Sequence, residues 1–204
     1  MHPVYPPEAA VYRTKVQAFL AEKLPKNWGG TGQLEGEELE AFVTEWRAIL
    51  AAAGYLAPNW LVEYGGAGLT ALEQVILAEE FARAGVPGGG PNDVFGIQML
   101  GNTLLRWGTE EQKKRFIATT LSAQEVWCQL YSEPEAGSDL ASLRTTAVLD
   151  GDEWVVNGQK VWTSGAMNSE MGVLLARTGD APRNRGISML LIPMKQPGVE
   201  VRPL

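Results

Sequence analysis

The sequence predicts an α+β protein: an N-terminal all-α helical domain followed by an antiparallel β-barrel or sandwich domain. Three observations carry that expectation. Apolar residues recur at helical spacing through the first part of the chain, and from Glu125 the period changes from 3.6 to 2. Two capping-box sequences, Thr70-Ala71-Leu72-Glu73 and Thr109-Glu110-Glu111-Gln112, mark helix starts. Short strand-like runs then follow, separated by turn dipeptides such as Asp150-Gly151 and Asn157-Gly158. The boundary is expected near residues 121–125, which gives domains 1–124 and 125–204.

The helical elements follow in order. Pro6 and Pro7 lead into a helix on which Val11, Tyr12, Lys15, Phe19 and Leu20 fall at helical spacing. Residues 25–36 read as a loop, being rich in glycine and opened by Pro25. Leu39, Phe42, Val43, Trp46, Ile49, Leu50 and Ala53 trace a second helix, with Gly54 standing where a C-terminal cap belongs. Thr70 to Glu73 open a third helix that runs to about Ala84. A fourth spans Asn92 to Trp107, and a short fifth carries Lys113, Lys114 and Arg115, read as a solvated helix end complementing the dipole. Strand-like runs occupy 126–131, 143–149, 153–157, 159–163, 171–177 and 186–193.

Composition narrows the function classes. The net charge of -7 argues against nucleic acid and against an anionic membrane surface, both of which favour a basic face. The one cysteine, Cys128, excludes an internal disulfide, suits the reducing cytoplasm and lies in an apolar run that reads as core. The one histidine, His2, sits at the terminus, where disorder is expected. No metal-ligand spacing is present, and no apolar run approaches membrane-spanning length.

Two stretches carry the chemistry. Residues 126–139 read Val-Trp-Cys-Gln-Leu-Tyr-Ser-Glu-Pro-Glu-Ala-Gly-Ser-Asp, a buried strand that breaks into a polar turn. Pro134 removes a backbone donor there, and Gly137 is expected to supply a turn with positive φ. Residues 157–165 read Asn-Gly-Gln-Lys-Val-Trp-Thr-Ser-Gly, where Asn157-Gly158 signals a hairpin whose returning strand delivers Trp162, Thr163 and Ser164. Taken alone, Trp162 could be an ordinary core aromatic, and Thr163 and Ser164 could be strand-end hydroxyls.

Together, in this order and spacing, the two stretches resemble the acyl-CoA dehydrogenase family, whose flavin site joins a Ser/Thr-Glu-Pro-x-Ala-Gly-Ser-Asp turn to a later Trp-x-Thr/Ser strand. The connection Asn59-Trp60-Leu61-Val62-Glu63-Tyr64-Gly65-Gly66 is similar to that family's Trp-Pro-x-Glu-Tyr-Gly-Gly, with Leu61 in place of proline. The resemblance covers the whole chain but not the whole family fold.

The resemblance implies an FAD-dependent enzyme of lipid catabolism or β-oxidation, in which a carboxylate takes the α proton of an acyl-CoA while the β hydride passes to the flavin. It implies that Gln129, Leu130, Tyr131 and Ser132, with Gly137, Ser138, Trp162, Thr163 and Ser164, bind the FAD. Ser132 would sit at the pyrimidine side, Ser164 near N5, Trp162 against the ring and Gly137 and Ser138 at the pyrophosphate. Ser138 would also meet the substrate. Phe95 and Met99, four residues apart on the fourth helix, are expected either to line the acyl pocket or to serve as plain core packing. An electron-transfer flavoprotein or similar acceptor and a homo- or hetero-oligomer are implied as partners. No residue matches the family's catalytic glutamate, which is expected beyond Leu204, so the chain is expected to be inactive alone. An alternative is a family-like subunit that binds flavin or acyl-CoA and works only with a partner chain. A third reading, Glu133 with Glu135 or Asp139 as the acid–base pair of a hydrolase, lacks any nucleophile or water-activating metal.

Overall fold

The computed structural model describes residues 5–203, so the readings of His2 and Leu204 fall outside the described residues. The chain divides into two compact units, one running up to Gly90 and including Thr109–Ser122, the other comprising Pro91–Gly108 and Ala123–Leu204. The helical segment after Pro91 therefore groups with the strands.

In the first unit, α1 (Pro7–Lys23) starts on Pro7 and buries Ala9, Tyr12, Val16 and Leu20. α2 (Gly36–Ala52) ends before Gly54, whose φ of 72° is the left-handed value foreseen for a cap. At Thr70 both arms of the capping box form, and α3 (Ala71–Ala84) follows. These helices close around Trp46, Leu50, Trp60 and Ile76, with Phe19 edge-on to Tyr55 at 5.0 Å. Glu80 is buried on α3 and is neutralised by Arg13 and Arg83, with Gln17 Nε2 at 2.9 Å. α5 (Glu110–Leu121) starts at the second capping box, on Thr109. Lys113 lies in its first turn and pairs with Glu110 at 2.9 Å. The basic run thus does not face a C-terminal dipole end, as the sequence reading had it. Instead, Arg47 serves that end by donating to the carbonyls of Leu121 and Thr120 at 2.8 and 3.0 Å.

The second unit holds one five-stranded sheet: β1 (Trp127–Leu130), β2 (Thr146–Asp150), β3 (Glu153–Asn157), β4 (Met171–Arg177) and β5 (Ile187–Pro193). β4 is its centre. β5 runs antiparallel along its whole length, while β1 pairs parallel with its start and β2 parallel at its end, Thr146 opposite Arg177. The sheet is therefore mixed rather than antiparallel, because a long crossover from Tyr131 to Glu170 returns the chain beside β1 in the same direction. β2 and β3 form the hairpin foreseen at Asp150-Gly151, with Gly151 at φ 62° and Val148, Leu149, Trp154 and Val155 exposed.

The run 159–163 is not a strand, and Asn157-Gly158 is not a hairpin turn. Gly158 meets a different need: a Cβ there would stand 2.2 Å from Thr145 Oγ1. The helix expected from Asn92 to Trp107 is a π-helical segment, Val94–Gly101, continuing into α4 (Asn102–Trp107). It packs beside β1 and buries Ile97, Leu100 and Leu104. Cys128, Leu130, Ala147, Ala166, Leu174, Ala176 and Met194 form a core cluster of the sheet.

Candidate functional site

The site is organised at the end of β1. After Leu130 the chain leaves the sheet, and residues 133–136 close a tight turn in which Glu133 and Ala136 exchange backbone hydrogen bonds of 2.8 and 3.1 Å. Pro134 and Glu135 occupy its centre, so no donor is wasted on the proline. Gly137 follows the turn and is absent from the positive-φ residues, contrary to expectation. The left-handed conformation belongs instead to Trp162 (φ 60°) and Gly165 (φ 72°). A bulky residue in that region is uncommon and is held only by its surroundings.

The surroundings are visible in the hydrogen bonds. Val161 N donates to Ser132 O at 2.9 Å, laying the second motif along the first. Lys160 Nζ reaches Tyr131 O at 3.1 Å and Glu133 Oε1 at 2.8 Å, with both charged side chains only 7% exposed. Glu133 also accepts from Arg144 N at 2.6 Å, Thr145 N at 2.9 Å and Thr145 Oγ1 at 2.5 Å. Burial works against the Glu133 carboxylate, but Lys160, Thr145 and the two amides outweigh it and hold its pKa down at about 2. Burial likewise holds Lys160 below the ordinary lysine value, against the pull of Glu133.

Around this centre the predicted site residues fall as follows. Ser132 and Tyr131 are half-buried, while Gly137, Ser138 and Ser164 are exposed and Thr163 is half-buried. Trp162 is 77% exposed, so its indole presents a free flat face instead of filling the core. The Leu130 side chain belongs to the core, and Gln129 pairs with Val173 in the sheet, which leaves backbone groups and the half-buried Gln129 amide for any ligand. A Cβ on Gly137 would meet nothing within 4 Å, so the backbone there is open to close approach. Phe95 and Met99 are half-buried on the π-helical segment beside β1. Among the described hydrogen bonds, none joins Ser138, Phe95 or Met99 to the paired segments around Ser132 and Val161.

Three further groups escaped the sequence reading. Lys160 is the only charge between Trp154 and Ser169, a signal that could have marked it as a buried partner. Asn92 Nδ2 donates to Trp127 O at 3.0 Å and to Ser169 Oγ at 3.1 Å, and Ser169 Oγ donates to Gly165 O at 2.8 Å, fixing the turn after Ser164. The hydrolase reading fails on geometry as well, since its acids are separately paired: Glu133 with Lys160, Glu135 with Arg144 at 2.6 Å, Asp139 with Arg183 at 3.3 Å. Cys128 is buried, and burial pushes its thiol up, as suits a core residue.

Two family models match the chain: the N-terminal domain of acyl-CoA dehydrogenases over residues 6–124 and their middle domain over residues 128–204. The chain belongs to the acyl-CoA dehydrogenase family. Acyl-CoA dehydrogenase IpdE1 from Mycobacterium tuberculosis is 46% identical over 198 residues, covering 95% of this chain and 51% of that relative. Among solved structures, the ChsE4-ChsE5 complex from Mycobacterium tuberculosis superposes with a TM-score of 0.75 at 35% identity over 97% of this chain and 50% of that one. The Tcur3481-Tcur3483 steroid ACAD gives 0.74 at 38% identity, again over 97% and 50%. The chain thus spans about half the length of the acyl-CoA dehydrogenases it matches. Among the described residues, no helix is long and apolar enough to cross a membrane.

Proposed function

We propose that this chain is the FAD-binding portion of an acyl-CoA dehydrogenase that oxidises the α,β bond of an acyl-CoA thioester. The observation that carries the proposal is the hydrogen-bonded alignment of the two motif segments, Val161 N on Ser132 O, which sets an exposed indole beside two serine-bearing strips. FAD, when bound, supplies the acceptor for the hydride. The residues present suit it: the Trp162 indole offers a stacking face, and Ser132 and Ser164 offer hydroxyls. The open backbone at Gly137 and Ser138 offers donors to a pyrophosphate without requiring net positive charge. Backbone groups of Gln129, Leu130, Tyr131 and Thr163 complete the flavin contacts. Ser138, Phe95 and Met99 face the substrate, and an electron-transfer flavoprotein or similar acceptor collects the electrons.

No carboxylate of this chain is assigned as the base that takes the α proton. Glu133 is committed to Lys160 and three donors and stays ionised but enclosed. A second reading, a binding subunit that acts only with a partner chain, is favoured by the likeness to the two-component ChsE4-ChsE5 and Tcur3481-Tcur3483 structures. Turnover of acyl-CoA with an artificial electron acceptor, measured for the chain alone and with any co-purifying chain, separates the two. Activity of the chain alone overturns the second reading; bound flavin without turnover supports it.

A further inference from the structure

A lysine and a glutamate each 7% exposed are costly to bury, and an apolar pair of similar volume would often serve stability as well or better. Their placement explains their presence. Residues 159–163 form no strand, so the strip carrying Trp162 and Ser164 is not registered by a sheet ladder. It joins the 131–133 segment through one backbone bond, Val161 N to Ser132 O, and through Lys160, which grips Tyr131 O and Glu133 together. Glu133 in turn fastens the amides of Arg144 and Thr145, and Thr145 abuts Gly158 at the start of the same strip. Three chain segments therefore converge on one carboxylate.

We propose that the Glu133–Lys160 pair is a positioning clamp that sets the register of Ser132 against Trp162 and Ser164, and so the seat of the flavin ring; this rests on the flavin reading above. Both side chains are enclosed, each only 7% exposed, so neither is offered to the ring. The clamp fixes where the residues that do touch it stand, including the left-handed backbone of Trp162.

The test uses the natural full-length protein with any chain that co-purifies with it, comparing wild type, Lys160→Arg and the uncharged double variant Glu133→Gln/Lys160→Met. The double variant removes both charges at similar volume, so it avoids leaving one charge buried and unpaired. Two readouts are taken: amide exchange of the peptide 158–166 against β4, and titration with FAD followed by its visible spectrum. The clamp predicts that the double variant keeps wild-type circular dichroism and β4 protection but exchanges faster at 158–166. It also predicts flavin bound about tenfold more weakly or more, with a shifted spectrum, and partial rescue in Lys160→Arg. A wild-type flavin complex with a double variant equal to it in affinity and spectrum overturns the clamp while leaving the flavin reading intact. Wild-type protein that takes up no FAD overturns the flavin reading; exchange at 158–166 then judges the clamp, and unchanged protection there overturns it. If the double variant does not fold, Lys160→Arg decides: wild-type spectrum and affinity in a folded protein despite a displaced cation overturn the clamp, and a spectral shift supports it.

Discussion

Acid should weaken the sheet unit through Glu133 in a way that can be calculated. Its pKa stands at about 2 in the fold, against 4.5 for an unconstrained glutamate. A difference of that size corresponds to about 3 kcal/mol. Because the folded value is the lower one, the contribution is complete above about pH 4.5 and is lost as the pH falls toward 2. Glu80 and Glu170 also have lowered values and will steepen any raw curve, so the quantity to measure is a difference. Urea unfolding of wild type and Glu133→Gln at a series of pH values from 7 to 2.5, with amide exchange on β4 to isolate the sheet unit, gives it. At pH 7 the variant should be weaker by about 3–5 kcal/mol, since Lys160 is left buried without its anion. The gap should close by most of the calculated amount as the pH falls. Parallel curves, with a constant gap from pH 7 to 2.5, would refute the reasoning.

Other expectations are independent of that pair. Gly158→Ala should cost about 1–3 kcal/mol, because the new Cβ would press on Thr145 at 2.2 Å; wild-type stability in a denaturant melt would count against the packing described. Trp162→Gly should leave stability unchanged or raise it by up to about 1 kcal/mol, since the indole is 77% exposed and the backbone left-handed, yet weaken FAD binding several-fold by titration. Cys128 should resist a thiol reagent at pH 8 in the native protein and react promptly in urea; fast native labelling would contradict its burial.

Much of the helical unit was legible because its signals are local. The capping boxes at Thr70 and Thr109 and the cap at Gly54 each act through backbone groups a few residues away. The β2–β3 hairpin was legible for the same reason. The parallel pairing of β1 with β4 was not, since it joins Trp127 to Met171 across a crossover that no local pattern encodes. Lys160 was overlooked because its partner lies 27 residues earlier, and the alternation over 159–163 does not reveal that this stretch has no strand partner. The π-helical turn was hidden because Phe95 and Met99 share a face at either helical pitch.

The absorption spectrum of the purified protein, with any chain that accompanies it, tests the central claim most directly. The protein should be yellow, or turn yellow on addition of FAD, and its visible band should bleach when acyl-CoA is added anaerobically to the catalytically complete assembly. A colourless protein that takes up no added FAD, alone or with its partner, would contradict it.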